Sequence, residues 1–322
     1  MKDMSCCQSQ YSQIKESLGR LIETAGGVAW GVAAAEEVDP TVFAEYERWI
    51  ACEKHGEMQY MSRYMDIRRN PQLLLAGAQS LVVVAFSYYH ADQFEGNLCG
   101  IAAYAHGDDY HEIVRSRLEK VAEHIRHKIG GETRVCVDTA PLLERYWGEK
   151  AGVGFIGSNR MLIVPGVGSY VFLGIILTTE KIAADEPLSG GCGDCRRCFA
   201  ACPGGALSAS GFDARRCLSY QTIEYRGEFA EEVELCGRLY GCDECQRECP
   251  HNKGIPETNI VEFQARESLR GMTATRVLDM TQEEFSREMR GSAIKRAKLS
   301  GLQRNAARLQ QESAKGKSEK KG

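Results

Sequence analysis

Two cysteine motifs limit what this chain can become. Residues 192–203 read CGDCRRCFAACP and residues 242–250 read CDECQRECP. The first has the spacing C-x2-C-x2-C-x3-C-P, the second C-x2-C-x3-C-P. A disulfide framework does not suit them. Fourteen cysteines in 322 residues fall below the density of stapled scaffolds, and the chain is long enough to bury a core without cross-links. Zinc sites pair C-x2-C knuckles across a loop. Four cysteines followed by proline is instead the spacing of bacterial iron–sulfur proteins, with three thiolates on one cubane and the fourth turned toward another. The proline fixes φ and directs the chain away. The expectation is two 4Fe–4S clusters.

Two cubanes need eight thiolates and the motifs supply seven. In the ferredoxin crossover, Cys192, Cys195 and Cys198 share cluster one with Cys249. Cluster two takes Cys202, Cys242 and Cys245 and lacks one ligand. Cys217 and Cys236 lie between the motifs, and spacing does not choose between them. Cys6, Cys7, Cys52, Cys99 and Cys136 are scattered and read as ordinary thiols.

The N-terminal MKDMSCCQSQ has no apolar h-region, and runs such as LVVVAF (81–86) are too short to span a bilayer. The expectation is a soluble cytoplasmic protein without membrane contact. Helical periodicity marks 11–27, 40–65 and 111–129, the last stopped by Gly130 and Gly131. Strands are expected at 81–87 and 133–137, and two more at 161–164 and 170–177 joined by the turn at 165–168. The fold class is α/β in the broad α+β sense. An α/β domain spans 1–185, a ferredoxin-like two-cluster domain 186–256, and short helices 257–310, with a disordered tail at 311–322.

Charge is uneven. Residues 291–322 balance at +7 in a chain of −4, which leaves −11 elsewhere. In GSAIKRAKLSGLQRN (291–305) the cations are interleaved with Ile294, Leu299 and Leu302, which fits a docked helix with a basic outer face. Lys295, Arg296, Lys298 and Arg304 are the candidate polyanion contacts. Clusters alone move single electrons, so the large α/β domain is expected to bind what receives them. No G-x-G-x-x-G follows a strand, and GVGFIGSNR (152–160) has the wrong order for a dinucleotide fingerprint. A D-x-H-x-x-G cobalt-ligand motif is also missing from the sequence.

Several blocks together resemble the epoxyqueuosine reductase family. They are IAAYAHGDDYH (101–111), VDTAPLLER (137–145), AGVGFIGSNRMLIVPGVGSYVFLGIILTT (151–179), the two cysteine motifs, DARRCLSYQTIE (213–224) and GSAIKRAKLSGLQRN. The resemblance implies a cobalamin- and iron–sulfur-dependent oxidoreductase of tRNA processing. It would reduce epoxyqueuosine at the wobble position to queuosine and water, using base-off cobalamin and an external low-potential electron donor. It makes Cys217, in the ARRC block, the eighth ligand. It also makes Asp138 the proton donor. Asp138 follows the apolar strand, where poor solvation would raise its pKa; the plain alternative is a helix cap. Weaker cobalamin contacts are Met61, Tyr104, Asp138 itself, Arg145, Ser219, Gln221 and Gln246. Asp109, Tyr110 and His111 belong to the same motif as Tyr104.

The chain departs from the family pattern at Ala103, where arginine is usual, at Ser158 and Arg160, where lysine and threonine are usual, and at Ile175, where glutamate is usual. Longer members continue into helical repeats, whereas this sequence runs out in QQESAKGKSEKKG. Two other classes share parts of the pattern. A corrinoid reductive dehalogenase-like enzyme is expected to carry a twin-arginine export signal. An iron–sulfur electron-transfer protein would leave VDTAPLLER and GSAIKRAKLSGLQRN without a role.

Overall fold

The computed structural model describes residues 3–319. The side chains of Cys6, Cys7 and Cys99, and residues 320–322 of the expected tail, lie outside that description. A four-stranded sheet organises the first half. Its strands are β1 (Ala29–Ala34), β2 (Ser80–Ser87), β3 (Thr133–Cys136) and, after the short pair β4 (Phe155–Ile156) and β5 (Leu162–Ile163), β6 (Val171–Thr178). The order is β1-β2-β6-β3 and every neighbour is antiparallel. β2 is buried along its whole length, because helices cover both faces of the sheet.

The helices of this half are α1 (Asp3–Thr24), α2 (Pro40–Ala51), α3 (Gln59–Ser62), α4 (Met65–Arg69), α5 (Tyr110–His124) and α6 (Glu144–Lys150). On one face Leu18 and Ile22 of α1 and Leu118 and Val121 of α5 pack on Val82, Val84 and Ile176. On the other, Tyr146 and Trp147 of α6 and Phe43 of α2 pack on Leu81, Val83 and Ile175. Alternation along each strand sends neighbours to opposite faces, so one sheet supports two cores. Gly174 sits where α5 crosses β6; a Cβ there would lie 2.3 Å from Leu118 Cδ1.

Several expectations change. The helix expected over 40–65 stops at Ala51. Gly56 follows with φ +59, where a Cβ would meet the Tyr220 hydroxyl at 2.5 Å. That turn docks on the cysteine-rich segment: Glu57 N–H donates to Tyr220 Oη and Trp49 Nε1 to the Phe212 carbonyl. The strands expected at 161–164 and 170–177 do not form a hairpin. β5 pairs with β4, and β6 lies between β2 and β3; one bridge, Val164 to Gly168, remains at the turn. β1 was not anticipated.

The second half contains little regular structure around the cysteines: α7 (Arg197–Ala201), the hairpin β7 (Leu207–Ser208) and β8 (Gly211–Phe212), α8 (Leu218–Ile223) and α9 (Glu244–Arg247). Then come α10 (Glu267–Arg270), α11 (Ala274–Asp279), α12 (Gln282–Glu288) and α13 (Lys298–Glu319). Met272, Val277, Phe285, Leu299 and Leu302 form a third core against Ile223, Leu239 and Tyr240. Residues 311–319, expected as disordered tail, continue α13. Among the described residues no helix is long and apolar enough to cross a membrane.

Candidate functional site

The fold sorts the motif cysteines into two sets. Cys192, Cys195, Cys198 and Cys249 line one cavity with Ser158, Asn159 and His251. The Ser158 backbone N–H donates to Cys192 Sγ at 3.3 Å, a contact that does not depend on the side chain at this departure position. Cys202, Cys217, Cys242 and Cys245 form the second set, each within electrostatic reach of others. Cys236, the other candidate, is exposed and faces Glu312, Glu234 and Arg238 instead. So the structure brings Cys217 to the second set and keeps Cys236 out of it.

Both sets have the chemistry of an iron–sulfur donor shell. Burial first, then the neighbouring thiolates, opposes ionisation and pushes Cys242 up to about 12. Cys245 is raised for the same reasons. Such an array needs a positive core to hold it as thiolate, which clustered iron supplies. No three His, Cys, Asp or Glu side chains among the described residues converge as around a single ion.

Asp138 leaves the end of β3 with φ +53, a left-handed conformation uncommon for a side-chain-bearing residue. Its backbone N–H donates to Glu144 Oε1 at 2.6 Å. Its Oδ2 accepts from Tyr110 Oη at 3.0 Å and contacts His111 Nε2 at 3.0 Å. His111 Nδ1 lies 2.7 Å from Asp109 Oδ1, and Asp109 caps α5 by accepting from the His111 N–H. Tyr110 is stacked between His111 and Phe172, with ring centroids 4.0 and 4.3 Å away. The cap and the stack fix the start of α5 against the Asp138 turn. The motif therefore does more than begin a helix.

The electrostatics reverse one expectation. Burial opposes charge on Asp138, but hydrogen bonds from His111 and Tyr110 and the charges of His111 and Arg145 outweigh it. The carboxyl lies below its ordinary range rather than above it. Burial likewise disfavours the His111 imidazolium, but Asp109 and Asp138 outweigh that and lift it to about 9. Glu144 is pushed up to about 8 by burial and by the charge on Asp138.

Burial is the leading influence on Asp138, Glu144 and Arg145, yet Asp138 and Arg145 remain exposed. Arg145 feels the charges of both Asp138 and Cys245, so it lies within electrostatic reach of the Asp138 turn and of the second cysteine set. Tyr60, 42% exposed, also feels the charge of Asp138 and has the Arg296 guanidinium 5.5 Å from its ring centroid.

The remaining expected contacts divide. Gln221 keeps a buried Oε1 without a protein partner while its amide donates to the Arg215 carbonyl. Gln246 is buried and engaged, accepting from Ser169 Oγ and donating to Asp243 Oδ1. Tyr104 Oη donates to Tyr240 Oη and feels Asp138 electrostatically. Met61 is half-buried and its carbonyl accepts from Tyr46 Oη; Ser219 is half-buried on α8. Among the departures, Ala103 is a core residue whose N–H donates to Asp243 Oδ2. Arg160, at φ +64, offers its carbonyl to Arg145. Ile175 is fully buried in the sheet.

The basic block is only partly free. Arg296 pairs with Glu224 at 2.8 Å. Arg304 donates to the carbonyls of Gln221, Tyr225 and Gly227. Lys295 and Lys298 are exposed. Sequence reasoning missed Glu144 and underweighted Asp109 and Tyr110. Their signal was present, since carboxylates flank both the Tyr-His pair and Arg145.

Known proteins resemble this chain in sequence and in fold. The family model described as epoxyqueuosine reductase QueG, DUF1730 matches residues 68–139, and one for a 4Fe-4S double cluster binding domain matches 191–252. An epoxyqueuosine reductase of Leadbetterella byssophila is 34% identical over 86% of this chain and 92% of the relative. One from Gloeobacter violaceus is 38% identical over 86% and 89%. The crystal structure of an epoxyqueuosine reductase with an epoxyqueuosine-modified tRNA-Tyr stem loop superposes with TM-score 0.84 at 30% identity, covering 92% of this chain and 81% of that one. The Streptococcus thermophilus enzyme superposes with TM-score 0.81 at 28% identity, over 92% and 80%. The chain belongs to the epoxyqueuosine reductase family.

Proposed function

We propose that this protein reduces epoxyqueuosine in the anticodon of tRNA to queuosine, with two 4Fe–4S clusters and cobalamin as its cofactors. The observation that carries the reading is Arg145 within electrostatic reach of both Asp138 and Cys245, which links the Asp138 turn to the second cysteine set, in a chain that covers 92% and 89% of two family relatives. Cys192, Cys195, Cys198 and Cys249 would hold one cluster; Cys202, Cys217, Cys242 and Cys245 the other. Cobalamin would lie between the Asp138 turn and the second cysteine set, where the exposed Arg145 offers a cation to its amide-rich rim. When bound there, it supplies a strongly reducing, nucleophilic cobalt centre fed one electron at a time through the clusters.

The residues of the chain do the rest. Opening an epoxide places negative charge on oxygen, and a positioned acid must neutralise it. Asp138 is that acid. Its Oδ2 is held by Tyr110 and His111, which fixes the carboxyl where the substrate would meet it. Arg145, fixed through the Arg160 carbonyl, orients what lies between Asp138 and Cys245. Lys295 and Lys298 contact tRNA phosphate, while Tyr60 and Arg296 flank the entry. Electrons come from an external low-potential donor, and the setting is the cytoplasm.

The test compares cobalamin-loaded and cobalamin-free protein, both with full clusters, on tRNA carrying epoxyqueuosine. Queuosine formed only by the loaded protein is expected. Equal conversion without cobalamin would remove the corrinoid from the account. No conversion by either would overturn the reading.

A further inference from the structure

The overall change is an epoxide plus two electrons plus two protons giving an alkene plus water. Both C–O bonds of the epoxide break, and both protons end on the same departing oxygen. Asp138 carries at most one proton. A single acid facing the oxygen must therefore be reloaded within one turnover, or a second donor must reach the same atom.

The Asp138 turn contains the parts for reloading. His111 Nε2 lies 3.0 Å from Asp138 Oδ2, and Nδ1 lies 2.7 Å from Asp109 Oδ1. The imidazole thus bridges two carboxylates through its two nitrogens, which is the arrangement that passes a proton along a line. The His111 and Asp109 side chains are each 29% exposed, so the outer end of the line meets water, whereas Asp138, 57% exposed in the free protein, would be covered by bound substrate. Glu144 also stands beside the turn, but the contact it makes is to the Asp138 backbone N–H, which donates to its Oε1. Tyr110 donates to the same Oδ2, and its hydroxyl is held well above the ordinary phenol range, first by burial. That leaves His111 as the exchangeable donor. The other groups facing the pair are Arg145, Tyr60 and Tyr104, with Arg266 beside Asp109.

We propose that the Asp109–His111–Asp138 line reloads Asp138 with a proton, so that one carboxyl delivers both protons the departing oxygen takes up. This rests on the epoxyqueuosine reading. His111 acts through Asp138 and is a positioning residue for the proton; it does not touch substrate. At neutral pH the waiting proton sits on His111, and its uphill passage to Asp138 is drawn by the negative charge developing on the departing oxygen, which takes the proton from Asp138.

The experiment uses full-length protein with clusters and cobalamin. His111→Gln keeps a donor toward Asp138 but cannot pass a proton. Its kcat on modified tRNA is expected to fall on the order of a hundredfold, with KM unchanged. The wild-type kcat should fall as pH rises through about 9, and the variant should lose that limb. His111→Ala should regain rate with added imidazole. Independently of activity, the pH dependence of His111 carbethoxylation, read by peptide mass spectrometry, should have a midpoint near 9 that drops in Asp138→Asn. Iron content and tRNA affinity report folding, and Asp109→Asn, which leaves the ring in place, should show a weaker form of the same loss. A His111→Gln enzyme with wild-type kcat and an unmoved alkaline limb overturns the proposal, as does a rise in KM at constant kcat. If wild type makes no queuosine, the functional reading fails instead, and the carbethoxylation midpoint still reports on the line.

Discussion

Arg304 separates the two roles that its basic block can play. Sequence pattern places it among tRNA contacts, whereas the structure turns it inward. Its guanidinium donates to Tyr225 O and Gln221 O at 2.7 Å, to Gly227 O at 2.9 Å and to Asn305 Oδ1, and lies 4.2 Å from the Phe229 centroid. Arg304→Ala leaves three carbonyls without a donor. At about 1 kcal/mol for each, because water reaches this half-buried site, the loss is about 3 kcal/mol. The ring contact adds ~0.5 kcal/mol. Urea unfolding of the cluster-loaded protein, followed anaerobically, should show a loss of that size. The tRNA affinity of the folded variant should keep its salt dependence. Lys295→Ala with Lys298→Ala should do the opposite, leaving stability alone and lowering the slope of log affinity against log salt by roughly 0.7–0.9 per lysine. An Arg304→Ala protein that is stable within ~1 kcal/mol but has lost tRNA affinity with a shallower salt slope would refute the inward reading.

Other outcomes follow from single contacts. Cys217→Ser should lower bound iron to about half, since one of two cubanes loses a ligand, whereas Cys236→Ser should leave iron unchanged in a chemical assay. Gly174→Ala should destabilise by roughly 1–3 kcal/mol through overpacking against Leu118 and Val114, measured by denaturant midpoint. Glu144 is raised from 4.5 to about 8 on folding, so its stabilising share is complete below about 4.5 and lost as pH rises toward 8. Glu144→Gln should flatten the decline of stability across that window.

What could be read beforehand was chemistry with local spacing. The cysteine motifs identified the clusters, and the Asp138 block marked the end of β3. What could not be read was set by distant partners. Cys217 and Cys236 are equivalent by spacing; the difference is that Cys236 points at Glu234 and Glu312 on the surface. The break after α2 depends on Tyr220 filling the space beside Gly56. β6 follows a turn and reads as half of a hairpin, but its partners β2 and β3 are both remote in sequence. β1, AWGVAA, is short and rich in small residues, so its strand character comes from pairing with β2. The charges of the basic block were visible, but the carbonyls that consume Arg304 were not. The pKa of Asp138 went the unexpected way because His111 and Tyr110 come from another helix.

The central claim is the removal of one oxygen from epoxyqueuosine with Asp138 as its acid. Anaerobic protein loaded with both clusters, cobalamin and reductant is given modified tRNA, and the digested nucleosides are weighed by mass spectrometry beside those from Asp138→Ala. The account predicts loss of one oxygen by wild type and a much slower loss by the variant. An unchanged nucleoside despite full clusters and bound cobalamin would contradict it, and so would a variant as fast as wild type.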